Sequence, residues 1–246
     1  MRKRRRGIYL LPNLFTTSAL FCGFYAIVAA INARYEPAAM AMFVAMILDS
    51  MDGRIARMTN TESDFGVQYD SLADLISFGL APSLVIYQWS LYGLGKLGWL
   101  VAFVYAAATA LRLARFNTQA GMEDKQFFQG LPSPAAAAVL AGFIWMGAAN
   151  DLYDGTNLVW VSLPLTLVCG ILMVSNVRYH SFKQVDLKGR VPFLYILILV
   201  LVLVLIAVRP SVVLFFLALI YAASGPILTL FLIRRHRSKR HFHEGD

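Results

Sequence analysis

Residues 45–79 read "AMILDSMDGRIARMTNTESDFGVQYDSLADLISFG", an apolar sequence interrupted by Asp49, Asp52, Asp70 and Asp74. An ionised aspartate at the centre of a lipid-embedded helix costs about 3 kcal/mol on insertion scales, so four of them require compensation. Their spacing shows how it could arise. Asp49 and Asp52 are three apart and share one helical face, which Gly53 and Ala56 continue, while Asp70 and Asp74 are four apart and share another. The segment between, "GRIARMTNTESDFGVQY", is predicted as a polar turn that reverses the chain. Two adjacent antiparallel helices would then present four carboxylates to one another.

The rest of the chain has a membrane protein's composition. Of 246 residues, 59% are hydrophobic and 15% charged, and the mean hydropathy is +0.62. A hydrocarbon core about 30 Å thick needs about 20 helical residues, and only internally bonded backbone survives in lipid. Eight spans are predicted, at 14–33, 38–58, 70–92, 97–114, 134–150, 157–177, 192–208 and 211–233. Pro37, Pro134, Pro192 and Pro210 lie near span starts, where a missing N–H costs little, whereas Pro82, Pro164 and Pro226 lie inside spans and are expected to kink them.

The basic residues give an orientation. With eight spans, only Arg34, Lys96 and Arg209 of the 22 Lys/Arg fall on one side. The positive-inside rule then places both termini in the cytoplasm, with the polar turn and Arg54, Arg57, Arg112, Arg115, Lys125, Arg178, Lys183, Lys188 and Arg190. The run "MRKRRR" and the tail "RRHRSKR" therefore set topology and meet anionic headgroups, and no nucleic-acid partner is expected. The first apolar run has no small-residue cleavage site and is expected to remain as a span. Cys22 and Cys169 lie inside spans without metal-ligand spacing. His180 and the tail residues His236, His241 and His243 are expected at headgroups or in solvent.

Close carboxylates repel unless cations lie among them, and oxygen-only ligands suit a hard divalent ion such as Mg²⁺, Mn²⁺ or Ca²⁺. Gly53, Ala56 and Gly66 leave room for a bulky ligand, and Arg57, two turns from Asp49, can fork onto a phosphate. Such a site suits a diphosphate. The spans hold too few basic residues to pair the acids structurally. A divalent-cation transporter is the rival class, although the polar turn and basic clusters lie on one side only.

The pattern Asp49-x-x-Asp52-Gly53-x-x-Ala56-Arg57, eight residues, Gly66-x-x-x-Asp70-x-x-x-Asp74 resembles the signature of the CDP-alcohol phosphotransferases, with every fixed position filled. The resemblance implies an all-α integral membrane fold, with a six-helix catalytic core over 14–177 and two additional helices over 192–233. Residues 1–13 and 234–246 would be basic cytoplasmic ends of a single domain. It further implies a site for two divalent ions, Mg²⁺ or Mn²⁺, held by Asp49, Asp52, Asp70 and Asp74, with Asp74 also the general base. Asp49, Asp52, Gly53, Arg57, Ser63 and Gly66 would contact the CDP moiety, as would Asn13 and Thr16. A homodimer in the inner membrane is also implied.

"YLLPNLFTTSAL", "LRLARFN" (111–117) and "FFQGLPSPAAAA" (127–138) resemble the branch of the family that uses CDP-diacylglycerol and L-serine. Arg112 and Arg115 could hold the amino-acid carboxylate, or could simply anchor the span end. The alternative is the same chemistry with glycerol phosphate or inositol phosphate as acceptor; either would want a denser basic pocket than serine, and Arg112, Arg115, Lys125 and Arg190 do not rule it out.

Overall fold

The computed structural model describes residues 10–59, 63–119, 127–150, 155–180 and 193–243. The basic run at 1–6, Lys125, Lys183, Lys188 and Arg190 lie outside the described residues, as do the side chains of the four histidines. The helices are α1 (Leu10–Ile31), α2 (Tyr35–Thr59), α3 (Asp64–Asp74), α4 (Ala81–Ile86), α5 (Lys96–Gln119), α6 (Ser133–Ala148), α7 (Val159–Val174), α8 (Phe193–Val208) and α9 (Pro210–His243). Helix α3 runs into α4 through a π-helical turn, Leu75–Leu80, and a second π turn, Tyr87–Leu91, follows α4.

Helices stand at every predicted span, and five segments are long and apolar enough to cross a membrane: Pro12–Ile31, Asp64–Leu94, Lys96–Thr118, Gly155–Val174 and Pro210–Thr229. Ser133–Ala148 and Ile196–Val208 are apolar but shorter. The protein is thus all-α and largely membrane-embedded. Leucine, isoleucine and valine cover α8 on all sides and stay exposed, as expected where lipid is the solvent.

Two expectations are corrected. The polar turn is shorter than predicted on its C-terminal side: α2 ends at Thr59, in line with the span predicted to 58, but α3 already begins at Asp64, ahead of the span predicted from 70. Hydropathy marks the part of a helix that meets lipid, whereas the helix continues as long as its backbone bonds and caps are satisfied. Ser63 is such a cap: its Oγ accepts the Gly66 N–H at 3.1 Å, and Asp64 lies in the positive first turn. The second correction is a short antiparallel ladder, β1 (Phe127–Gln129) with β2 (Arg178–His180), in which Gln129 pairs with Arg178.

Helix α1 is the spine that positions the site. It packs along α2 and also meets α3 and the first π turn. Ala26, Ala29 and Ala30 of α1 and Ala38, Ala39 and Ala45 of α2 are buried, and small side chains let helices approach closely where lipid supplies no hydrophobic drive. Gly23 goes further: a Cβ there would come 2.7 Å from the Ser77 Cα. Ser77 Oγ in turn donates to the Ala19 carbonyl at 3.1 Å.

Two of the three internal prolines, Pro82 and Pro226, are accommodated by tyrosines. Pro82 has no N–H for the Phe78 carbonyl four residues earlier, and buried Tyr105 of α5 donates its hydroxyl there at 3.2 Å. The π turn directly before Pro82 absorbs the register change, so helix persists from Asp64 to Leu94. Pro226 of α9 leaves the Ala222 carbonyl without its helical donor, and Tyr179 of β2 supplies a hydroxyl at 2.9 Å.

Candidate metal and nucleotide site

Asp49 and Asp52 project from α2, and Asp70 and Asp74 from the last turns of α3 immediately before the π turn. Oxygen atoms of Asp49, Asp70 and Asp74 lie within 4.8 Å of one another. Asp49 meets Asp74 carboxyl to carboxyl, and Asp52 meets Asp70. The structure therefore gathers all four predicted acids. Asp52 lies outside that group of three, and Thr16 of α1 donates to its Oδ2 at 2.7 Å.

The donor set fits a hard divalent cation. It consists of carboxylate oxygens alone, and Asp70 Oδ1 is buried without a hydrogen-bond partner. A buried oxygen with no donor costs stability unless something positive meets it. Three converging carboxylates can hold a divalent ion.

Beside the acids lies a cavity of about 300 Å³, lined by Pro12, Asn13, Thr16, Asp52, Gly53, Ala56, Ser63, Gly66, Val67 and Asp70. Seven of the predicted site positions thus share one space: Asn13, Thr16, Asp52, Gly53, Ser63, Gly66 and Asp70. Nothing stands within 4 Å of where a Gly53 Cβ would be, so the glycine leaves this part of α2 open to a ligand. At Gly66 a Cβ would press on Ser63 Oγ at 3.1 Å, so that glycine also serves the helix cap. Arg57 is exposed and lies back along α2, its Nε donating to the Gly53 carbonyl at 2.9 Å at the edge of the cavity.

Arg112 and Arg115 sit in the last turns of α5. Arg112 Nη1 donates to Ser133 Oγ at the start of α6 at 3.0 Å. Arg115 Nη2 donates to Gln129 Oε1 of β1 and, at 3.0 Å, to Asn176 Oδ1. The start of α6, strand β1 and Asn176 just before β2 therefore converge on this pair.

Sequence reasoning missed the polar contacts that lock α3 in place. Asn117 Nδ2 of α5 donates to Ser71 Oγ at 2.9 Å, next to Asp70, and Thr17 of α1 shares a 2.8 Å hydrogen bond with Tyr69. Asn117 stood in the quoted "LRLARFN", but its partner is 46 residues away and has no sequence signal. A larger cavity of about 660 Å³ opens near the other end of α2, beside Arg34, Glu36, Gln88 and Asn150, and among the described residues no carboxylates converge on it.

A sequence model of the family described as CDP-alcohol phosphatidyltransferase matches residues 9–172. The chain is similar to a CDP-diacylglycerol–serine O-phosphatidyltransferase of Helicobacter pylori, with 39% identity over 92% of this chain and 93% of the relative. It is also similar to enzymes of the same name from Bacillus subtilis (34% identity, 71% of this chain, 92% of the relative) and Methanocaldococcus jannaschii (35% identity, 57% and 62%). The matched region contains the four aspartates, the cavity and α1 to α6. The chain belongs to the CDP-alcohol phosphatidyltransferase family, and is an enzyme that acts as a phosphatidyltransferase.

Proposed function

We propose that this enzyme transfers the phosphatidyl group of CDP-diacylglycerol to the hydroxyl of L-serine, giving phosphatidylserine and CMP. The observation that carries the reading is the set of Asp49, Asp70 and Asp74 oxygens within 4.8 Å, beside a cavity lined by the family's signature residues. The names of the relatives support serine as the acceptor. Family membership sets cation transport aside.

The chemistry needs charge neutralisation at a diphosphate and a base for an alcohol. Mg²⁺ or Mn²⁺, two per site, held by Asp49, Asp52, Asp70 and Asp74, would neutralise phosphate oxygens when bound. Asp74 takes the proton from the serine hydroxyl as its oxygen attacks the β-phosphorus, and the bond to the CMP oxygen breaks. Asn13, Thr16, Gly53, Ser63 and Gly66 line the cytidine diphosphate pocket, and Arg57 at its edge forks onto phosphate. Arg112 and Arg115 hold the serine carboxylate, and the acyl chains stay in the bilayer.

In the arrangement we favour, eight helices cross the inner membrane as one domain, a six-helix core over 14–177 with two further helices over 192–233. Both termini and the site face the cytoplasm, as the distribution of Lys/Arg supports, and the enzyme works as a homodimer. The test is CMP release by purified protein given CDP-diacylglycerol, L-serine and Mg²⁺ or Mn²⁺. Asp74→Asn should lower the rate by about 10²- to 10⁴-fold with helical content unchanged. Activity that survives the substitution would refute the base assignment.

A further inference from the structure

The family match ends at residue 172, yet β2 and α9 beyond it close around the arginine pair of α5. Arg115 is held by Gln129 and Asn176, and Gln129 is the residue of β1 paired with Arg178 of β2. The placement of Arg115 thus depends on where the β1–β2 ladder sits. Tyr179, the next residue of β2, is fully buried and decides that.

Four contacts fasten β2 to α9. The Tyr179 hydroxyl donates to the Ala222 carbonyl, which Pro226 leaves available. The Tyr179 ring lies directly over Gly225, where no Cβ would fit, and 5.7 Å from the ring of Tyr221. The Arg178 N–H reaches Thr229 Oγ1 at 3.4 Å. Tyr221 is also within electrostatic range of Arg112.

We infer that Tyr179 is a positioning residue for the acceptor amino acid: it fastens β2 to α9, and the fastened β1–β2 ladder sets Arg115 through Gln129. The inference rests on the proposed assignment of Arg115 to the serine carboxylate. Its consequence is selective. The nucleotide cavity is lined by α1, α2, Ser63 and α3, with no residue of the β1–β2 ladder or α9, so loosening the ladder acts on the acceptor and spares the donor.

The test uses the purified full-length enzyme, with KM measured separately for serine and CDP-diacylglycerol. Tyr179→Phe should raise the serine KM by about fivefold, the scale of one lost hydrogen bond, and leave the CDP-diacylglycerol KM within about twofold. Adding Pro226→Ala gives the Ala222 carbonyl a backbone donor again. The double variant should recover the thermal midpoint lost in Tyr179→Phe while its serine KM stays high. Gln129→Ala, on an exposed residue, should shift the serine KM alone without disturbing the core. An unmoved serine KM in Tyr179→Phe, both KM values rising together, or a serine KM restored by Pro226→Ala would each overturn the inference. Should the Tyr179 variants fail to fold, an unmoved serine KM in Gln129→Ala overturns it. Unmodified enzyme that releases no CMP with serine would remove the serine reading itself.

Discussion

Thr16 Oγ1 lies 2.7 Å from Asp52 Oδ2, joining α1 to α2 across 36 residues of chain at a carboxylate only 5% exposed. A hydrogen bond to a charged group is worth about 1.5–3 kcal/mol, and a buried carboxylate has few alternative donors. Thr16→Val should therefore reduce CMP release by about tenfold or more, if the bond is fully used in the transition state. Thr16→Ser, which keeps the hydroxyl, should retain most of the activity. Equal rates for the two variants would contradict the role assigned to the contact.

Gly53 separates stability from binding. Its Cβ position is open, so alanine adds no clash and should stabilise the interior of α2 by about 1 kcal/mol. The same methyl group intrudes where the nucleotide is proposed to lie. Gly53→Ala should raise the thermal midpoint and also the CDP-diacylglycerol KM. A raised midpoint with an unchanged KM would place the nucleotide elsewhere.

Metal dependence should follow the geometry of the acids. Chelation should abolish CMP release, and excess Mg²⁺ or Mn²⁺ should restore it. Asp49→Asn and Asp70→Asn each remove one of the converging charges, so both should shift the divalent-ion concentration for half-maximal rate upward by about tenfold or more. Chelator-resistant activity in the unmodified protein would contradict a metal site here.

Tyr105 and Pro82 make a pair whose energetics can be separated. Tyr105→Phe leaves the Phe78 carbonyl buried and without the donor that Pro82 cannot supply, at a cost of about 1–3 kcal/mol. Adding Pro82→Ala supplies a backbone N–H and should recover part of that loss. Thermal unfolding in detergent reads both steps, and additive destabilisation by the two substitutions would refute the pairing.

The helical spacing of the four aspartates was legible because helix periodicity places residues three and four apart on one face, whatever the solvent. Their gathering into one cluster followed from two such faces joined by a turn. The early start of α3 was not legible, since Asp64 is a polar residue that a helix accepts in its first turn. The prolines were legible and their remedies were not. Tyr105 and Tyr179 reach carbonyls 27 and 43 residues away, and nothing local marks a tyrosine as the partner of a distant proline. The same holds for the β1–β2 ladder, whose strands are separated in the chain by α6 and α7 and meet only in the fold. It also holds for Asn117, which reads as an ordinary helix-end residue until Ser71 is placed beside it.

The most direct test of the central claim is acceptor choice. Purified enzyme with CDP-diacylglycerol and a divalent ion is given L-serine, glycerol phosphate or inositol phosphate in parallel, and CMP release is measured in each. The account expects release with serine, together with formation of phosphatidylserine, and background rates with the two phosphorylated alcohols. CMP release with either phosphorylated acceptor and none with serine would contradict it.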